Sequence, residues 1–218
     1  MQDFLVTSRV VAVFAPPAPD DAVWAAAILV DEGFPLVEIT FRNEAARDNI
    51  EALVRKVPEA VVGAGTVLTR EQAEVACAAG ARFLVSPGLA PDVGSFADQK
   101  GIPYIPGVFT PSEVQVALAQ GRRILKFFPA EAGGGPNLIK ALAPVYPQVS
   151  FIPTGGIGLH NLASYLCLPS VIACGGSFLV PSGAVRERDE TALREAARQL
   201  RGLLNALDEP SACEQRHG

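Results

Sequence analysis

The residue with the clearest chemical potential is Lys126, a lysine inside a short apolar run. Ile124 and Leu125 precede it, and Phe127 and Phe128 follow it. Such a run has the length and composition of a strand buried in a parallel sheet. Because an unpaired ammonium is costly to bury, a lysine in such a place is commonly neutral, and a neutral amine is a nucleophile. A second interpretation stays open, in which Lys126 lies at the end of the strand and its stem snorkels toward solvent.

The segment Leu36–Phe41 also has the pattern of a strand, and it carries a carboxylate that could serve such an amine. Glu38, Thr40 and Arg42 are spaced by two, so we expect them on one face of the pleat. An amine that faces a carboxylate is suited to Schiff-base chemistry, in which the amine attacks a carbonyl and the carboxylate moves protons. The alternative for Glu38 is a structural ion pair with Arg42 or with a helix end.

Donors for an anionic substrate follow other predicted strands. Arg42 and Thr66 could bind a small carboxylate, the arginine through its bidentate fork, and Thr154 would add a hydroxyl. Two glycine pairs, Gly155–Gly156 and Gly175–Gly176, follow the last two predicted strands. Loops in these positions of a barrel often bind phosphate through backbone N–H groups. A single Gly-Gly turn is a weak signal, so the prediction of a phosphate site depends on both pairs together.

Eight short apolar segments alternate with helical segments, which predicts a parallel sheet with right-handed crossovers. Eight such units fit a single (β/α)8 TIM barrel over residues 1–207, with a polar tail at 208–218. In a barrel the second and sixth strands feed the same interior layer, so Glu38 and Lys126 are expected to meet there. An open doubly wound sheet is the alternative, although no G-x-G-x-x-G follows the first strand. The predicted strands are Val10–Phe14, Leu36–Phe41, Ala60–Thr66, Phe83–Ser86, Tyr104–Ile105, Ile124–Phe128, Ser150–Pro153 and Val171–Cys174.

The composition predicts a metal-free protein without a nucleic-acid or membrane partner. Of 218 residues, 49% are hydrophobic and 19% are charged, and the net charge of −5 is spread along the chain. That balance offers no footprint for a polyanion. His160 and His217 are the two histidines, too few for a histidine-built metal site. No apolar run reaches the roughly 18 residues of a membrane span, and residues 1–8 lack the basic head and apolar core of a signal peptide.

The cysteines predict a reducing compartment. Cys77, Cys167, Cys174 and Cys213 show no Cys-x-x-Cys spacing. Three of the four lie in apolar contexts typical of reduced, buried thiols. We therefore expect a cytoplasmic protein.

Taken in order, several segments resemble the aldolases of 2-keto-3-deoxy-6-phosphogluconate (KDPG). The similarity extends from about Val10 to Pro181, and its most specific parts are the lysine run and the Glu-x-Thr-x-Arg strand. The segments that carry it are Val37–Arg42, Val62–Thr66, Ser86–Leu89, Ile105–Gly107, Lys126–Glu131, Pro153–Gly156 and Gly175–Ser177.

The resemblance implies a class I aldolase that needs no metal or cofactor and forms a homotrimer of (β/α)8 barrels. Its reaction is the cleavage of KDPG to pyruvate and D-glyceraldehyde 3-phosphate in the Entner–Doudoroff pathway. Members of this family often also cleave 4-hydroxy-2-oxoglutarate (KHG) to pyruvate and glyoxylate. The preference between the two substrates does not follow from the resemblance.

The resemblance also implies roles for individual residues. Lys126 would form the Schiff base, and Glu38 would be the general acid and base. Arg42 and Thr66 would hold the pyruvate carboxylate. The pocket would be lined by Pro87, Phe128 and Thr154, and the phosphate would be met by Gly155, Gly156, Gly176 and Ser177.

The departures from the family pattern are modest. Ala12 stands where the family usually has proline, and Phe109 stands where a small residue is common, which could narrow the pocket mouth. Two other functions remain as alternatives: a different barrel enzyme for phosphorylated substrates, and a non-catalytic barrel that binds a phosphorylated ligand. The first would give Lys126 and Glu38 no shared task, and the second would give no reason to retain them.

Overall fold

Short apolar segments form strands and amphipathic segments between them form helices in the computed structural model, which describes residues 2–181, 183–209 and 213. The strands are β1 (Val10–Phe14), β2 (Leu36–Thr40), β3 (Val61–Gly65), β4 (Leu84–Val85), β5 (Tyr104–Ile105), β6 (Gly107–Val108), β7 (Ile124–Phe127), β8 (Ser150–Pro153) and β9 (Cys174–Gly176). The helices are α1 (Gln2–Ser8), α2 (Pro19–Asp31), α3 (Ala46–Lys56), α4 (Arg70–Ala78), α5 (Pro91–Lys100), α6 (Pro111–Ala119), α7 (Gly135–Leu142), α8 (Leu162–Leu166), α9 (Ala184–Glu187) and α10 (Glu190–Leu207).

The strands pair in parallel in two sheets. One sheet has the order β5-β4-β3-β2-β1-β9, and the other has the order β6-β7-β8. Single bridges from Phe151 to Val171 and from Thr154 to Gly175 link β8 to the β9 region. At the other side, only Pro106 separates β5 from β6. The predicted α/β class with parallel strands is confirmed.

Alternation along the strands gives the sheets two apolar faces. One face packs against the helices, and the opposite face holds a separate buried cluster between the strands. Leu5 of α1 belongs to that inner cluster and is fully buried, so the first helix seals the inner core. The other buried members of the inner cluster are Val11, Val13, Leu36, Val61, Phe83, Val85, Ile105, Ile152 and Ala173.

Local signals set where the helices begin. Thr69 accepts a hydrogen bond from the Gln72 backbone at the start of α4. Thr110 and Glu113 form a reciprocal capping box at the start of α6.

At the far end of the chain, Arg194 of α10 forms ion pairs with Asp31 and Glu32 at the end of α2, with N–O distances of 2.6 and 2.9 Å. These ion pairs hold α10, the last helix, beside α2.

Several predicted elements differ from the structure. The last strand was predicted at Val171–Cys174, but β9 covers Cys174–Gly176, so Gly175 and Gly176 pair with β1 rather than forming a loop. Glycines lack the apolar side chains by which a strand is recognised, which explains the shift. The sequence reading also missed α1 and α9, which are too short to show a helical period.

The cysteine prediction was wrong for one pair. Cys167 and Cys213 form a disulfide, whereas Cys77 and Cys174 are free. The two partners are 46 residues apart and have no motif spacing, so only the fold brings them together. The rest of the predicted tail lies mostly outside the described residues, which include only 208, 209 and 213 of it.

Candidate active site

Lys126 lies inside the molecule, on the inner face of β7. Its backbone N–H donates to the Pro106 carbonyl, which fixes the strand beside β6. The Lys126 side chain is 6% exposed, and its Nζ lies 3.6 Å from Glu38 Oε1 and 5.4 Å from the centre of the Phe128 ring. The amine is therefore buried beside a carboxylate and an aromatic face, which excludes the snorkelling interpretation.

Glu38 comes from β2, two residues after Leu36 of the inner cluster. Its side chain is 5% exposed, and its ion pair is with Lys126 rather than with Arg42. Glu38 Oε1 has no hydrogen-bond partner among the described residues. A carboxylate oxygen buried without a donor costs free energy unless a charge or a substrate compensates it. That oxygen is thus available for proton transfer.

The two side chains line one small cavity in the inner core. Thr154 is its third polar wall, and the rest of the lining is apolar. Its volume of about 10 Å³ suffices for roughly one water molecule. Most of a substrate would therefore lie beyond this cavity, toward the strand ends. The apolar lining residues are Leu5, Val11, Phe83, Val85, Ile105 and Ile152.

The predicted carboxylate donors lie beyond the ends of their strands. Arg42 is exposed in the turn after β2, where it lines a surface groove with Gln72 and Val75. Within the described part of the chain, neither Arg42 nor Thr66 forms an ion pair with Lys126 or Glu38 or lines their cavity. Thr66 follows β3 directly and has a left-handed φ of 56°. Such a φ is strained for a β-branched residue, and strain of this kind is concentrated at functional sites.

Two predicted pocket residues lie close to the lysine run. Phe128 is half-buried, and its ring lies over Lys126 and 3.2 Å from the position of a Cβ on Gly155. Pro87 is half-buried after β4, and its carbonyl lies 2.1 Å from the position of a Cβ on Gly107. A side chain at Gly107 would overlap the Pro87 backbone, whereas at Gly155 the contact with Phe128 is only tight and the positive φ of 99° favours glycine.

The glycine pairs are brought together by the β8–β9 bridge. Gly155 and Gly156 have φ values of 99° and 78°, which favour glycine. Thr154 precedes them and bridges to Gly175, so the end of β8 lies beside the end of β9. Ser177 is exposed directly after β9. The structure thus gathers the residues predicted for phosphate at adjoining strand ends.

One supporting contact was missed by the sequence reading. The Tyr165 hydroxyl donates to Glu131 Oε1, and Glu131 N–H donates to the Gly155 carbonyl at 3.0 Å. Burial raises the pKa of Tyr165, and the hydrogen bond to Glu131 raises it further, so the phenol stays a donor at neutral pH. The only sequence signal was the position of Glu131 at the end of the lysine run.

Thiol chemistry and metal binding are two further possibilities that the described residues address. Burial raises the pKa of the Cys174 thiol well above its usual value, which keeps it protonated. Within the described ranges, no three His, Cys, Asp or Glu side chains are arranged to hold a metal ion. The same part of the chain contains no helix of the length and apolarity needed to cross a membrane.

Comparisons with known proteins agree with this arrangement. A family model described as KDPG and KHG aldolase matches residues 1–196. The 2-dehydro-3-deoxy-phosphogluconate aldolase of Haemophilus influenzae is 41% identical over 192 residues, which are 88% of this chain and 91% of that protein. The KHG/KDPG aldolase of Escherichia coli K12 is 42% identical over 198 residues, which are 91% and 93% of the two chains.

A solved structure gives the same result at the level of the fold. It is a KDPG aldolase from Legionella pneumophila with pyruvate captured at low pH as a covalent carbinolamine intermediate. The two structures superpose with a TM-score of 0.87 at 38% identity, over 90% of this chain and 95% of that chain. On the family model and these relatives, the chain belongs to the KDPG and KHG aldolase family.

Proposed function

We propose that this protein is a class I aldolase that cleaves KDPG to pyruvate and D-glyceraldehyde 3-phosphate. The observation that carries the proposal is the buried Lys126 amine 3.6 Å from the buried Glu38 carboxylate, in a chain of the aldolase family. A solved relative holds pyruvate as a covalent carbinolamine, which is the adduct that precedes an imine. A barrel enzyme without covalent chemistry would give this pair no shared task.

The reaction follows from the two groups. Lys126 Nζ attacks the C2 ketone of the substrate, and loss of water gives a protonated imine. Glu38 takes the proton of the C4 hydroxyl, the C3–C4 bond breaks, and its electron pair moves into the imine to give an enamine. Glu38 then returns a proton to the enamine carbon, and hydrolysis of the imine releases pyruvate and the free lysine.

The remaining predicted residues bind the two ends of the substrate in this proposal. Arg42 and Thr66 hold the carboxylate once substrate enters, and the strained φ of Thr66 supports a functional role for it. Pro87, Phe128 and Thr154 form the walls. Gly155, Gly156, Gly176 and Ser177 bind the phosphate, which is supported by the bridge that places Gly175 beside Thr154.

A second substrate is proposed for the same site. A relative at 42% identity is named KHG/KDPG aldolase, so KHG cleavage to pyruvate and glyoxylate is included. KHG carries no phosphate, and the glycine-rich strand ends therefore favour KDPG. The ratio of kcat/KM for the two substrates measures this preference directly.

We also propose that the two sheets close into one (β/α)8 barrel over residues 1–207, with 208–218 as a tail. Three observations support closure: the bridges from β8 to the β9 region, the continuity of β5 with β6, and the packing of α10 beside α2.

Three barrels are proposed to form a homotrimer, for which sedimentation should give about three times 22.9 kDa.

The proposed location is the cytoplasm, and the proposed pathway is the Entner–Doudoroff route. Both follow from the substrate and from the family resemblance. The cytoplasm is a reducing compartment, in which disulfides are rare. In such a compartment the pair Cys167 and Cys213 would be present as thiols.

An assay of pyruvate release from KDPG tests the proposed reaction. The wild-type protein should release pyruvate, and Lys126→Arg should release none, because a guanidinium does not form an imine under these conditions. Lys140→Arg, an exposed lysine on α7, is the matched control and should retain full activity. No pyruvate from KDPG or KHG with the wild-type protein would favour a non-catalytic barrel instead.

A further inference from the structure

Gly65, the last residue of β3, lies directly against the Glu38 carboxylate. A Cβ on Gly65 would lie 1.9 Å from Glu38 Oε1, 2.5 Å from its Cδ and 2.6 Å from its Cγ. Real Cβ atoms essentially never approach another atom within 3.0 Å. Gly65 does not have a positive φ, so its backbone would accept another residue. Glycine is needed here for space and not for conformation.

We infer that Gly65 is a positioning residue for the general base of this site. Its missing side chain leaves the slot in which the Glu38 carboxylate lies and from which it reaches Lys126. The inference rests on the proposed function, because it concerns the proton transfers assigned to Glu38. Gly65 has no functional group, but its lack of a side chain determines where the Glu38 carboxylate lies.

The slot matters because little else holds the carboxylate. Glu38 Oε1 is the oxygen that faces Lys126 Nζ, and it accepts no hydrogen bond from any described residue. The side chain is buried on all sides, so steric walls take the place of donors. A methyl group at Gly65 would occupy the present position of that oxygen and turn the carboxylate away from the amine. A misplacement of about 1 Å in such a group can lower a rate by about 10²-fold.

Gly63 provides a matched comparison on the same strand. It lies two residues before Gly65 and therefore on the same face, but a Cβ there would lie 2.2 Å from the Phe83 ring. Gly63→Ala thus overlaps the Phe83 ring of the inner core, whereas Gly65→Ala overlaps the Glu38 carboxylate. Comparing Gly63→Ala with Gly65→Ala separates loss of packing from displacement of the base.

The experiment uses two readouts with pyruvate as the probe. Borohydride trapping reports imine formation at Lys126, and exchange of the pyruvate methyl protons with deuterated solvent reports proton transfer by Glu38. Gly65→Ala should keep trapping and lower the exchange rate by about 10²-fold. Gly63→Ala should lower the thermal midpoint and reduce the exchange rate much less than Gly65→Ala does, because it leaves the position of the Glu38 carboxylate free. An exchange rate for Gly65→Ala equal to that of wild type would overturn the inference.

A shorter base tests the same slot in the opposite direction. Glu38→Asp alone should lower exchange, because its carboxylate is withdrawn from Lys126. In the Gly65→Ala background, Glu38→Asp relieves the overlap, so its effect should be smaller than in wild type or even restorative. If Gly65→Ala does not fold, recovery of folding by Glu38→Asp supports the slot, and lack of recovery overturns it. Failure of trapping in the wild-type protein would instead refute the proposed function.

Discussion

Lys126 and Glu38 compensate each other at a depth where either charge alone would be unfavourable. Removing one partner of a buried pair usually destabilises a protein more than the pair itself stabilises it, because the other charge is left uncompensated. The pair therefore has no evident value as a structural device. In the proposed reaction its value is chemical, since a substrate carbonyl that reaches Lys126 also reaches a carboxylate able to move protons.

Glu38→Gln should lower kcat for KDPG cleavage by about 10²–10⁴-fold, because the amide cannot take the C4 hydroxyl proton. Imine formation at Lys126 should persist at a lower rate, and steady-state kinetics with borohydride trapping measures both effects. Thr40→Val is the control from the same face of β2, where the Thr40 hydroxyl is buried with no hydrogen-bond partner among the described residues. An equal loss of kcat in Thr40→Val would contradict the role of Glu38.

At the scale of single residues, much of the site was predictable from the sequence. The period of two placed Glu38 on an inward face, and the apolar run around Lys126 indicated its burial. The same period placed Arg42 with them, but β2 ends at Thr40, and Arg42 lies in the exposed turn beyond it. The space left by Gly65 was not predictable, because the sequence does not show which side chain lies against a glycine.

At the scale of elements, the sequence did not predict helix α1 or the contact between Tyr165 and Glu131 that supports the loop after β8. Helix α1 has only seven residues, but it places Leu5 at the floor of the cavity shared by Lys126 and Glu38. In the loop after β8, the Gly155 carbonyl accepts a hydrogen bond from the Glu131 N–H, and the Glu131 side chain accepts one from the Tyr165 hydroxyl. Both supports come from distant parts of the chain, which explains why a reading of local patterns missed them.

Leu5→Ala should lower the free energy of unfolding by about 3 kcal/mol, because it opens a cavity in a fully buried site. Urea denaturation measures the change. Val6→Ala is the matched control on the same helix: Val6 is 54% exposed, and its loss should change stability by less than about 0.5 kcal/mol. Similar losses in the two variants would show that α1 does not seal the core through Leu5.

Tyr165→Phe should raise KM for KDPG by about tenfold, the lower end of what a lost hydrogen bond to a charged group produces. The reason is that Glu131 then holds the Gly155–Gly156 loop less firmly against the proposed phosphate. KM for KHG, which has no phosphate, should hardly change. Tyr146→Phe, which removes a hydroxyl that bonds to Pro111 elsewhere, is the control. Equal effects on both substrates would refute a role confined to the phosphate end.

At the scale of the whole molecule, the last elements of the chain contact the first ones, and a disulfide joins Cys213 to Cys167. The pairing of β9 with β1 and the ion pairs between α10 and α2 join the last elements to the first ones. The sequence predicted this repeating α/β order, because each unit carries its own apolar strand and punctuating Gly or Pro. It did not predict the disulfide from Cys167 to Cys213, which depends on where the tail lies in space.

Cys213→Ser should lower the free energy of unfolding relative to oxidised wild-type protein by up to about 4 kcal/mol, the chain-entropy value for a loop of this length. Relative to wild type in a thiol reductant, the same variant should show little change. Denaturant unfolding with and without reductant measures both comparisons. Turnover of KDPG should be unaffected, because neither cysteine lines the cavity at Lys126. A loss of stability that reductant does not reproduce would assign another role to Cys213.

The central claim is that Lys126 forms a covalent imine with a 2-keto acid. The most direct measurement is treatment of the wild-type protein with pyruvate and borohydride, followed by mass spectrometry of its peptides. One reduced pyruvyl group should be added to the peptide that contains Lys126, and none should be added in Lys126→Arg. No adduct on the wild-type protein, or an adduct that persists in Lys126→Arg, would contradict this claim.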